Sequence, residues 1–237
     1  MDRRSFITDP ESFFGARKES PSLLAPALIV IATAVLAAVA IQPFAEFTSQ
    51  IGQKVFEEGA GTFTPPTAEG TATAPQVDPE AVGGFVGAVA KGAMTVFAFF
   101  GPLVGWVLYS LLFYAVANYA LDGTGSLGGT FAFVGWGFVP EALTKIANAI
   151  ANYVVYGGVA VPETQAEAQA LQSSLQTDPL LLGATVFGFI MFLWSGVLWT
   201  IAMEKLHDLN RQNGFIAIAI PFLIMLALRL QDILAFL

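Results

Sequence analysis

The sequence contains no cysteine and a single histidine, His207, among its 237 residues. Without cysteine the chain can form no disulfide, no thiolate metal site and no cysteine nucleophile. One histidine is too few for a multi-histidine zinc site, and no serine, histidine and acid can be recognised as a catalytic set. We therefore expect a protein that is not an enzyme and that has no catalytic residue, no metal and no cofactor.

Charged residues are also scarce. They make up 12% of the chain, whereas hydrophobic residues make up 55%. One water-soluble core cannot bury that much apolar surface. The apolar residues gather into five blocks of about 20 residues, the length that a helix needs to cross ~30 Å of hydrocarbon. The sequence thus predicts an all-α integral membrane protein in a lipid bilayer, a bundle of five transmembrane helices with short amphipathic helices. The predicted spans are residues 23–41, 94–116, 131–153, 180–203 and 215–237.

Basic residues are the rarer charge, with 10 Lys and Arg against 18 Asp and Glu and a net charge of -8. An acidic chain is a poor partner for nucleic acid. Most of its few basic residues border the predicted spans on one side of the membrane. Under the positive-inside rule this distribution predicts a multi-pass protein of the cell membrane with a cytoplasmic N-terminus and an external C-terminus. The residues concerned are Arg3, Arg4, Arg17, Lys18, Lys205 and Arg211.

Two segments outside the spans have their own character. Residues 1–20 should form a cytoplasmic segment, in which Asp9-Pro10-Glu11-Ser12 has the order of an N-cap, a first-turn proline and a first-turn acid. A short interfacial helix with Phe13 and Phe14 is expected there on the cytoplasmic leaflet. Residues 21–237 should form the membrane domain. Within it, residues 59–79 are rich in Gly, Thr, Ala and Pro, which predicts a disordered external loop.

The segment Gly123-Thr-Gly-Ser-Leu-Gly128 matches the G-x-G-x-x-G pattern of dinucleotide sites. That pattern works when the glycines follow a strand and open a helix in a βαβ unit. Here it lies between two predicted membrane spans. We expect a tight turn and no nucleotide.

Polar residues interrupt two of the predicted spans. Their helical spacing puts those of the third span on one face, and a rise of ~1.5 Å per residue puts the charged residues of both spans at similar depth. A buried, charge-neutral network that fixes helix pairing is one interpretation, and a site for an ion, a proton or a polar solute is the other. The residues are Glu141, Lys145, Asn148 and Asn152 in the third span and Arg229 and Asp232 in the fifth.

Two further features carry predictions. Pro140 in the third span and Pro102 in the second should each kink a helix or begin one, because proline lacks a backbone donor and clashes with the preceding turn.

Between the fourth and fifth spans lies a polar cluster, which predicts a solvated helix end or a docking surface for a partner. Its docking candidates are Lys205, His207, Asp208 and Arg211.

Taken in order, five pieces of the chain resemble the Yip1 domain family of five-span membrane proteins, and within it a prokaryotic, archaeal-type member. They are Asp9 to Phe14, Gly101-Pro102-Leu103, Gly123 to Gly128, Gly135 to Pro140, and Glu204 to Arg211. The family has no established catalytic site. Its eukaryotic members are linked to vesicle traffic and to prenylated small GTPases, but no GTPase-binding residue can be carried over to this chain.

The resemblance implies a non-enzymatic membrane scaffold that organises lipid or recruits partners, which include other membrane proteins or a second copy of the chain. The alternative is a small channel or transporter for an ion or polar solute, built on the intramembrane charged layer. The missing internal repeat counts against the alternative, because secondary transporters usually consist of two matching halves.

Overall fold

A computed structural model describes residues 5–61 and 79–234 of the chain. Residues 62–78, which make up most of the loop predicted at 59–79, lie outside the described residues. All regular structure within the described ranges is helical, which confirms the all-α prediction. The helices are α1 (Ser5–Thr8), α2 (Pro10–Gly15), α3 (Leu24–Ala40), α4 (Gln42–Gly61), α5 (Pro79–Ala115), α6 (Leu127–Trp136), α7 (Val139–Tyr156), α8 (Gln165–Gln176), α9 (Pro179–His207) and α10 (Arg211–Leu234); a π-helical turn, Val116–Ala120, follows α5.

Four helical stretches of the described chain are long and apolar enough to cross a membrane. They imply a lipid bilayer as the environment of this protein, because an exterior so rich in large apolar side chains has no stable place in water. The stretches are Leu24–Lys54, Ala81–Ala120, Pro179–His207 and Arg211–Gln231. Four of the five predicted spans therefore have a counterpart among them.

The third predicted span, residues 131–153, is not a single helix. It is divided between α6 and α7, with a turn at Gly137 and Phe138. Pro140 stands in the first turn of α7, where a missing backbone N–H leaves no hydrogen bond unmade. The other proline differs, because α5 continues through Pro102 and no new helix begins there.

The connection between α6 and α7 is held by α9. Trp199 of α9 donates a hydrogen bond from its ring Nε1 to the carbonyl of Val134 in the last turn of α6, at 3.0 Å. Its ring lies so close to Gly137 that a Cβ atom there would be 2.0 Å from Nε1. The glycine at position 137 therefore leaves room for Trp199, which contacts both the end of α6 and the turn that leads into α7.

The short N-terminal helix α2 is packed into the bundle. Asp9 caps it by accepting a hydrogen bond from the Ser12 N–H at 3.1 Å. Phe13 and Phe14 are buried, and their rings contact Trp136 at 4.9 Å and Phe133 at 5.1 Å. The rings of α6 thus give these phenylalanines an edge-on and a tilted aromatic contact inside the bundle, and the position of α2 at the cytoplasmic leaflet stays a prediction.

Candidate functional site

Glu141 is the centre of a group of charged side chains inside the bundle. It lies in the first turn of α7, and Lys145 follows one turn later on the same face. The Lys145 Nζ is 2.7 Å from Glu141 Oε1, and Nη2 of Arg229 on α10 donates to Oε2 at 3.1 Å. The side chains are only 18% (Glu141), 23% (Lys145) and 24% (Arg229) exposed. Each carboxylate oxygen therefore has its own cation.

Arg229 is also held by an aromatic ring. Its guanidinium carbon lies 4.8 Å from the centre of the Phe192 ring on α9, in cation–π contact. The buried Nε atom of Arg229 has no hydrogen-bond partner among the described residues. Helices α7, α9 and α10 thus meet at this guanidinium, whose Nε donor is unused within the part of the chain that the structure describes.

The remaining polar residues predicted for this network are Asn148, Asn152 and Asp232. Asn152, at the far end of α7, donates to the carbonyl of Ala40 at 2.8 Å and so joins α7 to the end of α3. Asn148 faces the same internal space as the charged groups. The side chain of Asp232 is outside the part of the chain that the structure describes, so its membership of the network stays a prediction.

A cavity of about 420 Å³ lies beside the charged group. Gly101, Pro102 and Gly105 of α5 are part of its lining, together with Glu141. Gly101 has no atom within 4 Å of the place where a Cβ would stand, so the glycine leaves this space open. Asn148, Asn152 and Ser195 add polar groups to the lining.

The chemistry of this cavity is polar but offers no cluster of metal ligands. Within the described ranges no three His, Asp or Glu residues come together as a metal site. A low-dielectric surrounding strengthens the pairing of Glu141 with its two cations. The arrangement can hold helices together, and it can also present cations and amides to a small polar molecule.

A second charged cluster lies at the end of the bundle where α2 meets α9 and α10. Glu11 pairs with Arg211 at 2.6 Å and with Lys205 at 3.6 Å. Lys205 also pairs with Glu204 at 2.6 Å. The hydrogen bond from Arg211 holds the pKa of the Glu11 carboxyl below its usual value. These ion pairs tie the N-terminal helix to the connection between α9 and α10.

The predicted docking candidates are therefore engaged within the chain. Lys205 and Arg211 bind Glu11, and Asp208 pairs with Lys18. The hydrogen bond from Lys18 lowers the pKa of the Asp208 carboxyl. Three of the four docking candidates thus hold the N-terminal segment in place.

His207 corrects the expectation of a solvated helix end, because it is only 1% exposed. Its Nδ1 lies 2.7 Å from Asn118 Oδ1 and its Nε2 lies 3.0 Å from Thr130 Oγ1. The burial has a local cause in the glycine-rich segment, since a Cβ on Gly125 would lie 2.6 Å from Nδ1. The absent side chain lets the backbone close over the imidazole.

Gly123 and Gly125 therefore serve a close backbone approach, and the segment follows α5 and the π-helical turn, not a strand. The N–H of Thr124 donates to the carbonyl of His207 at 3.1 Å, which joins this connection to the end of α9. Asn118 and Thr130 were not singled out from the sequence. Neither stands in a motif, and only the fold brings them to the histidine.

The fold and these two clusters define a helical membrane protein whose charged side chains are paired inside the bundle and across its N-terminal end. The family model of the Yip1 domain matches residues 4–229. The chain belongs to the Yip1 domain family, a non-catalytic membrane family, as the order of its motifs indicated. No curated protein and no solved structure matches the chain.

Proposed function

We propose that this protein is a non-enzymatic scaffold that organises the membrane or recruits membrane partners. The observation that carries the proposal is the pairing of Glu141 with cations from both α7 and α10. Intramembrane charges that are paired in this way specify which helices meet, and here each oxygen of the acid is already bound to a cation. A bundle with fixed helix pairing is a frame on which lipids, other membrane proteins or a second copy can assemble.

The exterior of the bundle supports this role. Large apolar side chains line the outer faces of the long helices, and Phe97 of α5 is 78% exposed. Such faces are in contact with lipid chains or with neighbouring membrane helices. The proposed scaffold therefore presents its apolar faces outward and keeps its charges for its own assembly.

We further propose that α6 and α7 together form the fifth crossing. Their course follows α3, since Gly135 lies against Pro26 near the start of α3 and Asn152 binds Ala40 at its end. An odd number of crossings puts the termini on opposite sides. With Lys and Arg concentrated at the N-terminal end, the positive-inside rule orients that end to the cytoplasm of a cell-membrane protein.

Reporter fusions test this topology. A periplasm- or surface-active reporter fused after Leu237 should be active outside, and the same reporter inserted after Leu209, between α9 and α10, should be inactive there. Five crossings require this difference, because α10 separates the two positions and α6 with α7 supplies the odd pass. A cytoplasmic C-terminus would contradict the fifth crossing.

A second candidate function, passage of an ion or polar solute, is favoured by one observation. The cavity of about 420 Å³ is lined by the charged group and by Asn148 and Asn152. Polar cavities at membrane depth often belong to transport pathways. The Nε of Arg229, which has no partner among the residues that the structure describes, adds a donor at this place.

Flux measurements in proteoliposomes separate the two candidates. For a scaffold, vesicles with protein should pass potassium, sodium, chloride and protons no faster than protein-free vesicles. Vesicles with the Glu141→Gln variant should then show no additional ion flux either. Flux in the unmodified protein that falls in Glu141→Gln, and is retained in a Glu46→Gln control whose acid lies in an exposed pair, would overturn the scaffold in favour of transport.

A further inference from the structure

A second cavity, of about 750 Å³, lies between the N-terminal segment and the start of α3. Its volume falls in the range of about 300–1,000 Å³ that is common for ligand sites. Most of its wall is aromatic or aliphatic, with Phe13, Phe133 and Trp136 on one side and Leu28 and Ile29 on the other. An occupant of this space must therefore be largely apolar.

The cavity is continuous with the lipid-facing surface of α3. Leu28 lines it and is 57% exposed, and Ala25 one turn earlier is also exposed. On the polar side, Ser20 and Ser22 line the same space just before α3 begins. The cavity thus extends from the polar entry of a membrane helix to its apolar flank, which is where the headgroup and the first part of a lipid chain lie.

Arg17 supplies a cation at this boundary. Among the described residues at this end of the bundle, Lys18, Lys205 and Arg211 are each paired with an acid. Arg17 has no acidic partner among the described residues. Its Nη1 donates to the carbonyl of Phe13 at 2.9 Å, and its guanidinium lies 3.6 Å from the centre of the Phe13 ring.

The stacked guanidinium is fixed in position while most of its five N–H donors remain available. A planar guanidinium recognises phosphate through paired hydrogen bonds, and the Ser20 and Ser22 hydroxyls can add donors nearby. A free anion would leave the apolar walls uncovered, and a neutral amphiphile would leave Arg17 without a counter-charge. Charge and shape together therefore select an amphiphile with an anionic head.

We propose that this cavity binds one acidic membrane phospholipid, with its phosphate on Arg17 and one acyl chain along Leu28 and Trp136. The site is separate from the cavity beside Glu141, and it does not depend on whether the protein is a scaffold or a transporter. It would couple the position of the N-terminal segment to the presence of acidic lipid.

Native mass spectrometry of the full chain in detergent tests the site by titration with phosphatidylglycerol or phosphatidylcholine. The unmodified protein should retain one phosphatidylglycerol in preference to phosphatidylcholine. Arg17→Gln should weaken that binding about tenfold or more, as the loss of a charged hydrogen-bond donor predicts. Lys18→Gln removes the same charge from the neighbouring residue, which is paired with Asp208, and should retain the preference.

A second variant tests the apolar part without changing charge. Ala25→Trp puts an indole at the exposed mouth of the cavity and should weaken phosphatidylglycerol binding by a similar factor. Equal losses in Arg17→Gln and Lys18→Gln would show general surface attraction and overturn the proposal, as would undiminished binding to Ala25→Trp. Binding that occurs only after Asp2→Asn would also overturn it, because the chain's own N-terminus would then be the occupant.

Discussion

Replacement of Glu141 by Gln is expected to lower the free energy of unfolding in detergent by about 3–5 kcal/mol. The substitution keeps the shape of the side chain but removes the carboxylate from Lys145 and Arg229, whose side chains are only 23% and 24% exposed. The thermal midpoint and the denaturant midpoint of the purified protein measure the effect. We expect both to fall together.

A matched control uses an exposed carboxylate–lysine pair between α4 and α5. Glu46 pairs with Lys91, but their side chains are 48% and 38% exposed. Glu46→Gln should cost no more than about 1 kcal/mol, because water screens an exposed pair. Equal losses from Glu46→Gln and Glu141→Gln would mean that the pairing at Glu141 contributes nothing beyond surface electrostatics.

A double variant refines this result. Arg229→Gln in the Glu141→Gln background removes one of the two stranded cations, so part of the lost stability should return. A double variant that is less stable than Glu141→Gln would instead assign Arg229 a separate role, for which its contact with the Phe192 ring is the structural candidate.

Replacement of Gly137 by Ala is the second change with a large expected effect. It should lower the free energy of unfolding by about 3 kcal/mol. The new methyl would stand 2.0 Å from Nε1 and 2.4 Å from Cδ1 of Trp199. That ring cannot retreat freely, since it is buried and packs on Tyr109 at 5.3 Å and Phe113 at 5.6 Å. Overpacking contributes to the loss, and so does the displacement of Trp199 from its hydrogen bond to Val134 in the variant.

Gly101→Ala is the control for the second prediction. No atom lies within 4 Å of its Cβ position, and alanine is favoured over glycine inside a helix. The thermal midpoint should therefore stay or rise slightly. A Gly137→Ala protein with the midpoint of Gly101→Ala would show that Trp199 is not held against the turn between α6 and α7.

Several elements of this fold can be predicted from local sequence alone. The lengths of the apolar blocks predict α3, α5, α9 and α10, because the free energy of moving a segment into lipid is a sum over its own residues. Asp9 and Pro10 mark the start of α2 through capping within one turn. The helical period places Glu141 and Lys145 on one face of α7 without reference to any other helix.

The contacts between distant segments were decided by packing. Glu141 meets Arg229 across 88 residues of chain, and depth alone predicted only that the two could share a layer. The burial of His207 depends on two side chains and a glycine backbone from another part of the chain. The partners of Phe13 and Phe14 could not be predicted either, because an amphipathic helix can bury its apolar face in lipid or against protein.

The sequence alone determined the class and the four long apolar helices through the lengths of its apolar blocks, and it determined the polar face of α7 through the helical period. Such local patterns indicate which surface of a segment avoids water. They cannot determine which of several apolar surfaces covers a given side chain, because lipid and helix interiors offer nearly the same transfer free energy. That choice follows from shape and from specific polar partners. The tertiary structure therefore decided the two cavities, the Arg229 pairing and the place of the N-terminal helix.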